Sequence, residues 1–269
     1  MIRPLRLMAL LVAVLAGASG VAHAQVAGQT LKNNQVEARK SGYFFLGQQT
    51  KTLQDDDFQN PGMFAVDQGA NLWRKVEGSE GKSCASCHQN ATQTMKGVAT
   101  HYPAYDEKSK GIINLELVIN RERVEKMGAE PYKYESPELL AITSYVSYQS
   151  RGMPKNVDIT GPAAPFFEQG KEFFFTRRGQ IDLSCSMCHD DRAGMLLRGD
   201  TISQGQINDF PMYRLIWHTI SSAHRMFEWC NTSMRAEPYA YGSPVYLALE
   251  LYVAWRGRGL LIEAPGVRK

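Results

Sequence analysis

The chain has 269 residues, with 30 lysines and arginines against 27 aspartates and glutamates. Two of these arginines, Arg3 and Arg6, lie in an N-terminal leader, so the rest of the chain is close to neutral. A nucleic-acid partner is therefore not expected, because phosphate binding needs a marked basic excess. The roughly 245 residues after the leader fit one large domain or two domains of about 100 to 120 residues each.

Residues 1–24 have the features of a cleavable signal peptide. Two arginines precede an apolar run over residues 7–16, and residues 22–24, Ala-His-Ala, suit a signal peptidase. The alternative is a membrane anchor, but the run is shorter than the roughly 20 apolar residues that a span needs. We expect a mature protein that begins near Gln25 and is soluble in the periplasm, with no stable membrane insertion.

The rest of the chain has helical patterns and no convincing alternation of apolar and polar residues, which predicts an all-α fold. Residues 25–56 form a polar lead-in without a motif, which is expected to wrap another part of the chain or to bind a partner. Apolar residues at three- and four-residue steps predict helices over residues 64–75 and 166–177. A further helix is predicted over residues 211–229, which are rich in aromatic and apolar side chains.

Two Ser-Pro pairs predict the starts of two more helices. Ser136 and Ser243 are each followed by proline, the combination of an N-cap residue with a first-turn proline. These helices are expected to run to about Gly152 and Gly259, since glycine is the usual residue beyond a helix C-terminus.

The five cysteines predict covalent haem attachment. Four of them form two C-x-x-C-H motifs, Cys84/Cys87/His88 and Cys185/Cys188/His189. In this motif the two thiols bind the haem vinyl groups and the histidine binds the iron. Disulfides, a redox dithiol or half a zinc site are the alternatives, but the chain has no further cysteine pair to complete a zinc site. The sequence therefore predicts two covalently attached haem c groups.

Both motifs lie in similar sequence surroundings. Gly69 and Gly170 each precede the first cysteine of their motif by 15 residues. Residues 127–137 also match residues 234–244, with Met, Ala-Glu-Pro-Tyr and Ser-Pro in the same positions. We predict two tandem cytochrome c-like domains related by internal duplication. Their bounds are residues 57–153 and 154–269, joined near a cluster of prolines and glycine over residues 153–164.

The fifth cysteine, Cys230, has Arg123 as its counterpart in the first copy. It is either a small buried core residue or the distal ligand of the second haem, since a soft thiolate binds iron well. Arg225 and Arg235 lie five residues before and after it. Arg225 is thus a candidate for positioning an anionic substrate, although arginine near a helix is more often a solvated charge.

These residues resemble the SoxA family, the cytochrome subunits of the SoxAX complex of periplasmic thiosulfate oxidation. The resemblance covers nearly the whole mature chain. The matching stretches are Met95-Lys-Gly-Val-Ala-Thr, Ile113-Asn-Leu-Glu, Met127-Gly-Ala-Glu-Pro, Gln149-Ser-Arg-Gly-Met-Pro, Tyr213-Arg-Leu, Cys230-Asn, Arg235-Ala-Glu-Pro, Leu249-Glu-Leu-Tyr and Trp255-Arg.

The resemblance implies a heterodimer with SoxX, a smaller monohaem cytochrome, that acts on the carrier protein SoxYZ. Thiosulfate and a carrier cysteine would be joined oxidatively into a cysteine S-thiosulfonate, an L-cysteine S-thiosulfotransferase activity. Electrons would leave through haem to a cytochrome c acceptor. The family's haem-ligating cysteine, commonly found as a persulfide, is carried over to Cys230, which would cap the haem at Cys185, Cys188 and His189.

Two departures from the family pattern concern the sites. The first haem of two-haem members is usually capped by a cysteine too, but Arg123 stands there, which leaves His101 and Met127 as the nearest candidate ligands. The family's active-site arginine commonly lies four residues before the cysteine, where this chain has Met226. The role of the family's active-site arginine is therefore assigned to Arg225, the residue before Met226.

Three other functions are compatible with two C-x-x-C-H motifs and a further cysteine. A plain dihaem electron carrier would use Cys230 only to tune the haem potential. A thiosulfate dehydrogenase would couple two thiosulfates to tetrathionate. A dihaem peroxidase is less suited, because a thiolate cap blocks the iron that peroxide needs. His218 and His224 also lie near enough in sequence to compete with Cys230 for iron, unless they are packing or solvent-facing residues.

Overall fold

A computed structural model of the protein describes residues 38–269, so the predicted signal peptide and residues 25–37 lie outside the described residues. In chain order, the helices of this part are α1 (Gln48–Asp55), α2 (Met63–Arg74), α3 (Cys84–His88), α4 (Ala91–Thr94), α5 (Leu115–Met127), α6 (Pro137–Tyr148), α7 (Ala164–Phe175), α8 (Cys185–His189), α9 (Ala223–Ser233) and α10 (Pro244–Arg256). Its strands are β1 (Ala104–Asp106), β2 (Gly111–Ile113), β3 (Leu196–Leu197), β4 (Asp200–Thr201), β5 (Met212–Arg214), β6 (Thr219–Ser221) and β7 (Gly266–Arg268).

The fold is mainly helical, as predicted, with three small sheets that the sequence pattern did not reveal. Strands β1 and β2 form one antiparallel hairpin, and β3 and β4 form another. The third sheet has the order β6-β5-β7, in which β5 pairs antiparallel with β6 and parallel with β7. None of the helices within residues 38–269 has the length and apolar character that a membrane span requires.

The predicted helix starts are confirmed. Ser136 caps α6 by accepting a hydrogen bond from the backbone N–H of Leu139, and Ser243 caps α10 through Tyr246. Each serine satisfies a backbone donor that the first turn leaves unpaired. Helix α6 ends four residues before Gly152 and α10 three residues before Gly259, so both are slightly shorter than predicted.

The predicted helix over residues 211–229 is wrong in its first half. Met212, Tyr213 and Arg214 form β5, in which the two outer residues are buried and the middle one is half-buried. This strand pairs with β6, and His218 makes the turn between them in the left-handed conformation with φ 51°. The aromatic residues therefore cover a hairpin, and the helix begins only at Ala223.

Two helix pairs carry the main packing, α2 against α6 and α7 against α10. In each pair a glycine lets the backbones touch. A Cβ atom on Gly69 would lie 2.1 Å from the carbonyl oxygen of Ala141, and one on Gly170 would lie 1.9 Å from that of Ala248. Both distances are impossible for a real side chain, so glycine is required at each crossing.

The described end of the lead-in wraps the second half of the molecule. The hydroxyl of Ser41 hydrogen-bonds the carboxylate of Glu263. The side-chain oxygen of buried Gln54 accepts from the backbone N–H of Val267 at 2.9 Å and from Arg268 at 2.7 Å. Residues near the two ends of the described chain are thereby held together, and β7 is fixed against α1.

A buried polar group lies between the two halves. The amide of Asn114 donates to the Glu250 carboxylate at 2.8 Å, and His224 Nε2 lies 2.9 Å from the same carboxylate. The ammonium of Lys155 donates to the carbonyl oxygen of Ala99 at 3.1 Å. Buried charges need such partners to offset lost hydration, so this group fixes how the halves meet.

We expect Gly170→Ala to lower the free energy of unfolding by about 1–3 kcal/mol or more, because the methyl group forces α7 and α10 apart. Gly47→Ala is the control, since a Cβ at Gly47 meets nothing within 4 Å. Denaturant unfolding of both variants measures the difference. Equal effects would mean that the close approach at Gly170 does not limit the packing.

Glu116 predicts a pH-dependent stability. Burial, and secondarily the charge of Glu250, raise the pKa of Glu116 from 4.5 to about 8. Between these values the unfolded chain has released this proton and the folded chain still holds it, so the free energy of unfolding falls as the pH rises. The ceiling is about 1.4 kcal/mol per pH unit for one proton.

We expect Glu116→Gln to flatten this fall between pH 4.5 and 8, measured by denaturant unfolding at several pH values. Glu122→Gln, on the same helix and half-exposed, is the control and should leave the slope unchanged. A slope that Glu116→Gln does not alter would assign the pH dependence to other groups.

Candidate haem sites

Each C-x-x-C-H motif forms a one-turn helix that begins at its first cysteine. Ser83 caps α3 through the N–H of Ser86, and Ser184 caps α8 through the N–H of Met187. Within a helical turn, residues three apart lie on the same side, so the two thiols of each motif face one direction. This arrangement suits thioether bonds to the two vinyl groups of one haem.

All five cysteines have free thiols, so no disulfide joins them. In the described part of the chain, no three His, Cys, Asp or Glu side chains converge as a bare metal ion would require. The described residues therefore offer no set of side chains that could bind zinc.

His189 is held in the orientation that an iron ligand needs. Its Nδ1 atom lies 2.8 Å from the carbonyl oxygen of Ser203. A carbonyl oxygen only accepts, so Nδ1 carries the hydrogen and Nε2 keeps its lone pair for a metal. Gly205 packs against the ring so closely that a Cβ there would lie 2.9 Å from His189 Cγ. Burial lowers the pKa of His189, which favours the neutral, metal-binding form.

His88 lies in similar surroundings. The Trp73 ring lies 5.8 Å from the His88 ring, as the Phe174 ring lies 6.4 Å from the His189 ring. The indole N–H of Trp73 donates to the carbonyl oxygen of Gln89 at 3.0 Å. In both halves an aromatic residue stands eleven residues before the first cysteine of the motif. Its ring packs against the histidine of the same motif.

Cys230 lies on α9, next to the second motif. Its side chain is half-buried, and burial raises the pKa of the thiol to about 12. Negative charge at Cys185 and Cys188 would raise it further, whereas Arg214 lowers it. Of the five second-half site residues predicted from the sequence, Cys185, Cys188 and Cys230 influence one another electrostatically, His189 follows Cys188 on α8, and Arg225 lies against Trp217.

The positive charge of Arg214, in β5, lowers the pKa of the Cys230 thiol. The sequence pattern did not indicate a role for this residue. It is buried, paired with Asp200 at 3.1 Å, and its guanidinium lies 4.8 Å from the Trp229 ring centroid. Arg225 instead lies over the Trp217 ring at 4.5 Å. The aromatic composition of residues 211–229 predicts one helix and hides the strand that carries Arg214, although Tyr213-Arg-Leu is one of the stretches that resemble the SoxA family.

In the first half, Arg123 occupies the position that corresponds to Cys230. It is buried and bonds the Glu77 carboxylate at 2.6 Å, and its guanidinium carbon lies 3.5 Å from the Tyr132 ring centroid. Burial alone would raise the pKa of Glu77, but hydrogen bonds from Lys75, Arg123 and Tyr132 lower it to about 2. A closed ion pair therefore stands where the second half has a thiol.

The histidines and methionine that the sequence offered as iron ligands have varied settings. Nδ1 of buried His224 accepts from the N–H of Gly242 at 3.0 Å, and Nε2 lies 2.9 Å from a carboxylate oxygen of Glu250. This setting favours a packing role for His224. His101 is exposed and Met127 is buried at the end of α5, and their role as distal ligands stays a prediction.

We expect Arg123→Met to lower the free energy of unfolding by about 1–3 kcal/mol, because the partly buried Glu77 carboxylate loses this charged hydrogen bond and keeps only Lys75 and Tyr132 as partners. Arg121→Met is the control on the same helix. Its side chain is 26% exposed and pairs with Asp106, so its loss should cost less than about 1 kcal/mol. Chemical unfolding of both variants tests this, and a loss at Arg123 as small as that at Arg121 would contradict it.

Comparison with known proteins identifies the family. Residues 68–155 match the SoxA/TsdA cytochrome c domain, which makes this a haem c protein. The chain is 46% identical over 230 residues to the L-cysteine S-thiosulfotransferase subunit SoxA of Pseudaminobacter salicylatoxidans, covering 85% of this chain and 80% of that protein. The corresponding subunit of Rhodovulum sulfidophilum is 43% identical over 85% of this chain and 80% of that protein.

Among solved structures, the crystal structure of SoxXA from P. pantotrophus contains a chain that is 43% identical to this one. The two superpose with a TM-score of 0.84 over 87% of this chain and 89% of the other. Sequence and fold agree over most of the length of both proteins. The chain belongs to the SoxA family of L-cysteine S-thiosulfotransferase subunits.

Proposed function

We propose that this chain is the catalytic cytochrome subunit that joins thiosulfate to a cysteine of the carrier SoxYZ. The observation that carries the proposal is the place of Cys230 on α9, because Phe227 of this helix belongs to the core cluster that Cys185 packs against. The reaction joins a carrier thiol, RSH, and S2O3(2−) into RS–S–SO3(−), and releases one proton and two electrons. A sulfur nucleophile held beside a redox group is the arrangement that this chemistry needs.

Two haem c groups are part of this proposal. Cys84 and Cys87 would hold the first, with His88 on its iron, and Cys185, Cys188 and His189 the second. The motif helices, the free thiols and the carbonyl that orients His189 support this. Cys230 is the proposed distal ligand of the second haem. When bound, that haem supplies the electron acceptor for sulfur oxidation.

We also propose that residues 57–153 and 154–269 are two cytochrome c domains related by duplication. The equivalent glycine crossings at Gly69 and Gly170, and the paired caps at Ser136 and Ser243, support it. The shared polar group between the halves, around Glu250, then joins the two copies.

The chain's own residues would divide the work among them. Cys230 offers the sulfur at which the substrate sulfur is handled, and it is the proposed catalytic residue. Arg214 favours the thiolate form of Cys230. Arg225, on the turn before it in α9, is proposed to attract the thiosulfate dianion toward this face, and its place against Trp217 keeps the guanidinium fixed.

The names of the relatives support a partner subunit, and the signal-peptide features of residues 1–24 support an exported location. The relatives are named as subunits, and the solved structure is a SoxXA complex. We therefore propose a heterodimer with a SoxX-like monohaem cytochrome in the periplasm. SoxYZ would be the carrier, thiosulfate the substrate, and a cytochrome c the electron acceptor.

The experiment compares wild type with Cys230→Ala as holoprotein with its partner cytochrome. We expect the variant to keep two haems by intact mass, to lose a low-spin thiolate-type EPR signal, and to lose turnover by more than about a hundredfold. Thr232→Ala, an exposed residue of the same helix, is the control and should match wild type.

Two outcomes would contradict the proposal. An EPR spectrum and turnover that Cys230→Ala leaves unchanged would return Cys230 to a packing role, as in a plain electron carrier. Tetrathionate formation from thiosulfate without the carrier would make the chain a thiosulfate dehydrogenase.

A further inference from the structure

A cavity of about 530 Å³ lies in the second half of the chain, and its wall includes Phe173, which belongs to the core cluster that Cys185 packs against. Its size is in the range of small-molecule sites. It lies between the loop that precedes α8 and the loop that follows α9, and its walls include Phe173, Arg178, Gln180, Arg235, Glu237 and Tyr239. Two arginines and one carboxylate give this cavity a net positive charge.

Arg178 is fixed in position without a carboxylate partner. Its guanidinium carbon lies 3.3 Å from the Phe173 ring centroid, and its Nη2 donates to the Phe173 carbonyl oxygen at 2.7 Å. Among the ion pairs of residues 38–269, none includes Arg178 or Arg235. A half-buried guanidinium with this geometry is ready to bind an anion.

Arg235 is the second cation in the cavity wall, and its backbone has an unfavourable conformation. Its φ is 55°, in the left-handed region that favours glycine, and the corresponding residue in the first half is Gly128 with φ 61°. The turn therefore has the same shape in both halves, but the second half carries an arginine on it. Such strained residues cluster at functional sites, and here the side chain borders the cavity.

The first half shows the same place closed. There Glu77 corresponds to Arg178, and Arg123 corresponds to Cys230. Arg123 bonds Glu77 at 2.6 Å and the Glu130 carbonyl oxygen at 3.1 Å. One copy thus neutralises its cation internally, whereas the other leaves two cations facing an open cavity.

One tyrosine links the cavity wall to the helix that carries Cys230. The hydroxyl oxygen of Tyr246 accepts from the backbone N–H of Tyr239, in the cavity wall, at 3.2 Å and from the side-chain amide of Asn231, the residue after Cys230, at 3.3 Å. One side chain therefore separates the cavity from the residue that follows Cys230.

We propose that Arg178 and Arg235 form an anion subsite that binds the sulfonate oxygens of thiosulfate beside Cys230. This inference rests on the proposed function for the identity of the anion. The guanidinium groups supply paired N–H donors for the oxygens. The two arginines are positioning residues, and the sulfur chemistry stays at Cys230.

The test uses the haem-loaded heterodimer with Arg178→Gln and Arg235→Gln. Thiosulfate binding without the carrier is measured by calorimetry, and KM and kcat for thiosulfate are measured with it. We expect the Kd and KM to rise roughly ten- to hundredfold, the loss of a charge-assisted hydrogen bond, with kcat changed less than about threefold. Arg178→Lys should recover part of the affinity.

Arg177→Gln is the matched control, because it removes the same charge from the adjacent residue. Arg177 is exposed, pairs with Asp182 at 2.7 Å, and does not line the cavity. It should bind thiosulfate within about twofold of wild type.

The outcomes distinguish a wrong anion subsite from a wrong proposed function. Unchanged thiosulfate Kd in Arg178→Gln and Arg235→Gln would overturn the subsite, even with normal turnover in wild type. Altered haem absorption with an unchanged Kd would overturn it too, and would assign the arginines to the haem carboxylates. If the wild type shows no turnover but its thiosulfate binding still depends on both arginines, the proposed function is wrong and the anion subsite is supported.

Discussion

The backbone contact between Gly170 and Ala248 sets the position of the second site. It brings α7 and α10 together at the crossing, which fixes the Phe174 ring against the His189 ring at the start of the site. The loop after α7 then returns as a short bridge from Arg178 to Leu183 and leads into the cap of α8. Any side chain at Gly170 would move all of these elements together.

Corresponding positions of the two halves hold different side chains, Arg123 and Glu77 in the first half against Cys230 and Arg178 in the second. In the first half the guanidinium of Arg123 pairs with the Glu77 carboxylate. In the second half the thiol of Cys230 offers no such cation, and Arg178 replaces the acid. The exchange changes both the volume and the charge of the pocket without changing the backbone path.

Local signals in the sequence predicted the frame well. Capping serines and first-turn prolines act within a few residues, so α6 and α10 begin where expected. The strand that carries Arg214 was missed because it has only three residues and one of its two partners, β7, lies more than fifty residues away in sequence. Aromatic residues that cover a hairpin also resemble a buried helix when only their composition is considered.

The sheet that holds Arg214 explains why other arginines are left to meet an anion. Arg214 and Arg268 are paired in the parallel register of β5 and β7, and such like charges would repel one another. Each is instead offset by its own carboxylate, Arg214 by Asp200 and Arg268 by Asp209 at 3.0 Å. Arg214 therefore acts on both Asp200 and Cys230, which leaves arginines outside the sheet as the cations available to a dianion.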